Sequence, residues 1–359
     1  MRGVGGIALG LADPIIQRQL LKAVLSLPPP VLRVASGGKA VHVGARALDP
    51  RFQFLIHAAK RYASAEPLSE SQAQKTRSVW AGEREPGVRL EDLEIPGPAG
   101  AIAARLYRSN DQHADLAVML YVHGLESDEA EGFESCDAFC SILARCGRAP
   151  VLAITCRPNA ERPFAGCLEL VTHTYRHVAA NAASFGAPTG RAAIAGDSIG
   201  GAFAALLCQA LKRRGEPQPA LQLLLYPWLD LSAGSTSKEL YDEVTLPAQD
   251  VEAWAAGFLG PTDDPGDPAI SPLKSGDLTG LAPAIVVTAG FDPLVDQGGL
   301  YADKLRAAGV PIVSRCYDQL VHGFAAFTGV VPSADIACRE IAGLVREGLQ
   351  GRIPAPASA

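Results

Sequence analysis

The chain has 359 residues, 48% hydrophobic and 19% charged, a balance that implies a large buried core and excludes an intrinsically disordered protein. A formal net charge of −6, with acids and bases scattered, argues against nucleic acid and anionic membrane surfaces as main partners. No apolar run approaches the roughly 20 residues that a membrane-spanning helix needs, so no stable membrane insertion is expected.

The first 80 residues read as a helical segment. QRQLLKAVL and DPRFQFLIHAAKRY carry the strongest amphipathic patterns, and PPPVLRVASGG breaks the run between them. The opening MRGVGGIALGLADP reads as an ordinary entry segment rather than a signal peptide. Its GVGG follows no strand and precedes no Lys-Ser/Thr, so it gives no phosphate loop.

Two strands are predicted at LEDLEI and AIAARLYR. From about residue 117 short apolar runs alternate with helical patterns. LAVMLYV, VLAIT, AAIAG, LQLLLYPW, AIVVTAG and IVSRCYD read as strands buried on both faces, the mark of a mostly parallel sheet. Helices are predicted at about 135–147, 166–185, 200–214, 295–308 and 333–349. The alternation implies a doubly wound α/β class, with helices flanking a mostly parallel central sheet. Residues 232–275, rich in Ser, Gly, Asp and Pro with one helix-like piece at about 248–259, interrupt it. The expected organisation is therefore an N-terminal helical cap segment over 1–80, a catalytic domain over 81–350 with a cap insertion near 232–275, and a tail over 351–359. Both cap pieces are expected over the carboxyl ends of the strands, where open α/β sheets bind ligands and water must be excluded.

The chemistry concentrates in AAIAGDSIGG. A strand runs into Gly196-Asp197-Ser198-Ile199-Gly200 and then directly into a helix, which is G-x-S-x-G in strand–turn–helix context. Gly196 and Gly200 suit a turn too tight for side chains, Asp197 belongs to the same elbow, and Gly201 extends the small-residue surface. The turn lifts the Ser198 hydroxyl above the sheet edge, at a helix N-terminus that favours developing negative charge. A serine needs a base, itself held by an acid, in the chain order Ser, acid, His. After the strand AIVVTAG comes Phe291-Asp292, an acid at a strand's carboxyl end, and after the strand IVSRCYD comes Val321-His322-Gly323, a histidine on the following loop. Asp296, in the first turn of the next helix, and Asp318, a candidate turn residue, are the second and third choices for the acid.

The remaining candidates for metal chemistry are weak. Cys136, Cys140 and Cys146 lack a CxxC pair, and the eight cysteines read as dispersed core thiols in a reducing cytoplasm. His173 and His177 have helical spacing but no glutamate of H-E-x-x-H between them and no clear third ligand, so no metal is expected.

At these residues the chain resembles the microbial hormone-sensitive-lipase-like esterases, a family of the α/β-hydrolase fold. GDSIGG stands for the family's GDSAGG, DPLVDQG for DPLRDEG, and RPNAERPFAGCLE for RLAPEHPFPAALED, joined by YPWLD, ISPL and a late HGF. The likeness spans about residues 30 to 350, and the separations of 94 residues from Ser198 to Asp292 and 30 from there to His322 also fit. It implies a carboxylic-ester hydrolase without a cofactor, acting on small-molecule esters of short to medium acyl chain, under a cap partly made by N-terminal helices. It also implies a possible homodimer.

One motif departs. The family's H-G-G-G supplies oxyanion donors from its second and third glycines, whereas this chain has His123-Gly124-Leu125-Glu126. The expected oxyanion and substrate-binding set is therefore Gly124, Leu125, Glu126 and Ile199, in an acidic connection, LESDEAEGFES, that also reads as a plain solvated loop. Leu125 is expected to narrow the site or redirect the loop. Amidase or carbamate hydrolysis on the same triad stays open, as does a non-catalytic small-molecule receptor on the same scaffold.

Overall fold

The structure, a computed structural model, describes residues 13–62, 78–98, 100–124, 132–156, 158–159, 163–232, 237, 241 and 248–355. An eight-stranded sheet forms the centre, in the order β10-β9-β8-β7-β5-β6-β4-β3. Its strands are β3 (Val88–Gly97), β4 (Gly100–Ser109), β5 (Val118–Gly124), β6 (Val151–Cys156), β7 (Ala192–Asp197), β8 (Gln222–Leu225), β9 (Ala284–Phe291) and β10 (Ile312–Val321). β4 pairs antiparallel with both β3 and β6, and every other pairing is parallel. The two early strands and the mostly parallel sheet that follows them, both predicted, are observed; the antiparallel pairings of β4 are new.

The reason lies in the side chains. β7, β8 and β9 are buried at every position, as strands covered by helices on both faces must be. Helices α4 (Glu134–Cys146), α5 (Phe164–Ala180), α6 (Ile199–Arg213), α7 (Ala248–Phe258), α8 (Val295–Ala307) and α9 (Pro332–Leu349) make the outer layers and the connections. α6 is buried from Ile199 through Leu211, apolar nearly all round, which suits the innermost helix. Two core clusters lie on opposite faces of the sheet: one joins β5 and β7 to α5 and α6, the other joins the same strands to α4 and α9.

Two predicted segments end differently. LQLLLYPW gives only the four residues of β8: Tyr226 still donates its amide to the Val287 carbonyl at 2.7 Å, but its backbone turns to φ 35° and the strand ends. IVSRCYD continues to Val321 through an irregularity: Tyr317 pairs with Ala289, but Val321 pairs with Phe291. That bulge moves the following residue relative to a regular strand.

Within the N-terminal segment the described residues form α1 (Pro14–Leu25), α2 (Pro29–Ala35), α3 (Pro50–Tyr62) and a small hairpin of β1 (His42–Val43) and β2 (Arg46–Ala47). Asp13 caps α1 by accepting from the Ile15 amide at 2.8 Å, and Pro14 occupies the first turn. The hairpin was not expected from the sequence. The helix predicted at 248–259 is present as α7. Among the described residues no helix is long and apolar enough to cross a membrane.

Candidate active site

The elbow is set by backbone sterics. Ser198 sits at φ 52°, ψ −120°, a strained conformation for a residue with a side chain, between the last residue of β7 and the first of α6. Its amide donates to the Leu225 carbonyl at 3.0 Å and its carbonyl accepts from the Trp228 amide at 3.0 Å. A Cβ on Gly196 would lie 2.2 Å from the Gly200 carbonyl oxygen, and one on Gly200 would lie 2.1 Å from that of Val122. Both contacts are with backbone that cannot yield, so glycine is required at each position.

The three predicted residues meet. His322 Nε2 lies 3.1 Å from Ser198 Oγ, and His322 Nδ1 lies 2.8 Å from Asp292 Oδ2. With Nδ1–H donating to the carboxylate, Nε2 is left as the acceptor facing the serine hydroxyl. Asp292 is fully buried, and its other oxygen accepts from the Leu294 amide at 2.8 Å. His322 is buried, whereas Ser198 keeps partial exposure. Such a chain of contacts can activate a hydroxyl for attack on an acyl carbon.

The rival acids have other partners. Asp296 accepts from the Ser237 amide at 2.9 Å. Asp318 accepts from Arg46 Nε at 2.9 Å. Arg46 Nη1 also donates to Tyr241 Oη at 3.1 Å and to the Gly290 carbonyl at 3.3 Å, two residues before Asp292. The Asp49 amide donates to the Gln319 carbonyl at 3.0 Å. Residues 46–49 therefore brace the bulge of β10 from which His322 departs.

A second His–Asp pair lies behind the elbow. His123 Nδ1 is 3.0 Å from both carboxylate oxygens of Asp197, and its Nε2 is 2.7 Å from Ser135 Oγ. Asp197 also accepts from the Gly124 amide at 3.2 Å. Gly124 is thus brought to the elbow, where a Cβ would lie 2.6 Å from the Asp197 carbonyl oxygen, but its N–H is committed to Asp197. That amide is therefore not free to donate to an oxyanion. Leu125 and Glu126 lie outside the described residues. Ile199 opens α6, so its amide belongs to the first-turn donors that have no partner within the helix.

Tyr226 packs its ring 4.9 Å from the His322 ring and 5.3 Å from Phe324. Burial, reinforced by the nearby Asp197 carboxylate, pushes its phenol well above the ordinary range and keeps it neutral beside the imidazole. Gln297 accepts from the amides of Leu229 and Asp230, both at 2.9 Å, and fixes the segment after Tyr226. Sequence reasoning had not singled out Arg46, Tyr226 or Gln297. YPWLD and DPLVDQG carried the last two as motif letters without roles, and nothing local marked Arg46.

Cys136 and Cys140 are buried in α4, and Cys146 is half-buried at its end. His173 Nε2 lies 3.0 Å from the Pro96 carbonyl oxygen, and the His177 ring packs edge-on against Phe185 at 6.5 Å. Among the described residues no group of three or more His, Cys, Asp or Glu is arranged to hold a metal.

A family model described as alpha/beta hydrolase fold matches residues 119–326. Carboxylic ester hydrolase LipN of Mycobacterium tuberculosis is 34% identical over 319 residues, covering 85% of this chain and 84% of the relative. Ethyl acetate hydrolase of Pseudomonas putida is 29% identical, over 74% of this chain and 84% of its own. Among solved structures, an ester hydrolase from the metagenome of Lake Arreo, complexed with a derivative of bipyridine phosphonate, superposes with a TM-score of 0.75. It is 33% identical and covers 82% of this chain and 96% of its own. The chain therefore belongs to the α/β-hydrolase fold family, in its hormone-sensitive-lipase-like branch, and is a carboxylesterase-type serine hydrolase.

Proposed function

We propose that Ser198 is the nucleophile, His322 the general base and acid, and Asp292 the residue that orients His322 and stabilises its charged form. The observation carrying this reading is the unbroken run of contacts Ser198–His322–Asp292, at 3.1 and 2.8 Å. Ser198 Oγ attacks the acyl carbon as His322 Nε2 takes its proton. The same imidazole returns the proton to the departing alkoxide, and water then repeats the cycle on the acyl-enzyme. The amide of Ile199, with those of the loop beyond Gly124, stabilises the oxyanion.

Substrates are small carboxylic esters of short to medium acyl chain, admitted beneath a cap built from the N-terminal helices and the 232–275 region. The relatives' names, ethyl acetate hydrolase among them, support a short acyl group. The eight cysteines in unbridged form support a reducing, cytoplasmic setting.

A fluorophosphonate probe tests the assignment. It should label the wild-type protein at Ser198 and leave Ser198→Ala unlabelled. A correctly folded wild type that resists labelling would favour a receptor on this scaffold. A p-nitrophenyl ester series of increasing chain length, beside amide and carbamate analogues, reads the acyl limit and bond preference.

A further inference from the structure

The net charge of −6 conceals an uneven distribution. Residues 13–62 hold eight Lys or Arg against two acids, Asp13 and Asp49, for a net of +6. The rest of the chain then carries −12. The same segment holds seven of the nine large hydrophobic side chains that are exposed among the described residues, all between Ile15 and Val34.

Their placement is orderly. Ile16, Leu20, Val24 and Leu27 follow helical spacing along α1 and its end, and Val31 and Val34, the latter 75% exposed, continue on α2. The opposite face of α1 is already used: Leu21 and Leu25 are buried with Phe52 and Leu55 of α3. Arg18 is held by the carbonyls of Ser78 and Val79. Among the described residues, Lys22, Arg33 and Lys39 enter no ion pair. Phe52 and Trp80 pack on Phe327, at 5.3 and 5.0 Å, in the turn after His322, so the segment is firmly joined to the body.

We propose that the outward face of α1 and α2 docks on the surface of an anionic phospholipid bilayer. An exposed aliphatic stripe on a segment that also carries cations outside any ion pair is the pattern of a helix lying in the headgroup region, apolar face inward. α1, with 12 residues, is far too short to span about 30 Å of hydrocarbon, so it lies along the surface. A second copy of this chain fits less well. A two-fold contact brings the same patch to itself and would set its cations outside ion pairs, Lys22, Arg33 and Lys39, against their own copies. The surface does not depend on the hydrolytic assignment, because its test reads binding and not turnover.

Vesicle flotation of the full-length protein is the experiment. Vesicles of phosphatidylcholine mixed with phosphatidylglycerol should carry the wild type upward at low salt, and pure phosphatidylcholine should carry much less. The triple variant Ile16→Ser, Leu20→Ser, Val24→Ser should bind the mixed vesicles at least about tenfold more weakly. A second variant, Lys22→Glu, Arg33→Glu, Lys39→Glu, keeps the stripe and should lose the preference for phosphatidylglycerol. All these positions lie outside the core, so circular dichroism melts should match the wild type. Three results would overturn the proposal: wild type that stays with the soluble fraction, equal binding to both vesicle types, or a solution dimer that the serine variant disperses.

Discussion

Two regions hold the proposed catalytic residues, and they are held by different means. The elbow at Gly196–Gly200 is fixed by backbone against backbone, with carbonyl oxygens standing where any Cβ would go. The acid–histidine edge of β9 and β10 is fixed by ties brought from far along the chain: the side chains of Arg46 on Asp318 and Tyr226 on His322, and the Asp49 amide on the Gln319 carbonyl. The first arrangement fails all at once and cannot be tuned. The second has separate ties whose loss should be graded.

That contrast can be broken or sharpened by substitution. The largest effect should come from Asp292→Asn, which keeps the shape but holds His322 in the wrong tautomer; a fall of about 10⁴ in kcat is expected from steady-state kinetics on a soluble ester. If Asp318→Asn fell as far, the acid would be misassigned. Next is Gly200→Ala at the elbow. Its added methyl meets the Val122 carbonyl at 2.1 Å, so overpacking should cost about 3 kcal/mol in urea denaturation, with turnover lost alongside. An unchanged midpoint would show that the elbow has slack.

Asp197→Asn should weaken both the His123 and the Gly124 contacts and lower kcat by roughly 10² as the oxyanion loop loses its register. KM for a small ester should change far less. Arg46→Ala should be milder still, about tenfold in kcat/KM, equivalent to about 1.4 kcal/mol. Arg46→Lys should recover part of this, since one donor still reaches Asp318. Tyr226→Phe leaves the ring against His322 and removes only the hydroxyl, so a stability loss of about 1 kcal/mol with little change in kcat is expected.

The same division explains what the sequence disclosed. The elbow is local: five consecutive residues between a buried strand and a buried helix, so the motif and its structural context can be read together. The acid was legible because it stands at the end of a strand, and the base because it lies on the loop after the next one, both at the carboxyl edge of the sheet. The choice of Asp292 over Asp296 and Asp318 rested on strand position, and the geometry adds a physical reason, since each rival is held by a different partner. Arg46 was illegible because its partners lie 195 to 272 residues away and no periodicity announces them. LLLYPW has the composition of a strand; the turn of Tyr226 to φ 35° that ends it is a tertiary outcome. The concentration of exposed aliphatic side chains on α1 and α2 also needed the structure, since an amphipathic pattern does not say which face is buried.

The bond from Asp197 to the Gly124 amide has a consequence for redesign. Residue 124 is anchored to the elbow through its amide, which donates to Asp197, and through a close steric fit against the Asp197 carbonyl, while His123 holds the same carboxylate. The stretch that follows can therefore be treated as an exchangeable cassette with a fixed point of attachment. Grafting a glycine-rich pair in place of Leu125 and Glu126 should leave the nucleophile in register, because the anchor at residue 124 is untouched. Under the proposed reading, substrate range and hydroxyl activation are then separately editable.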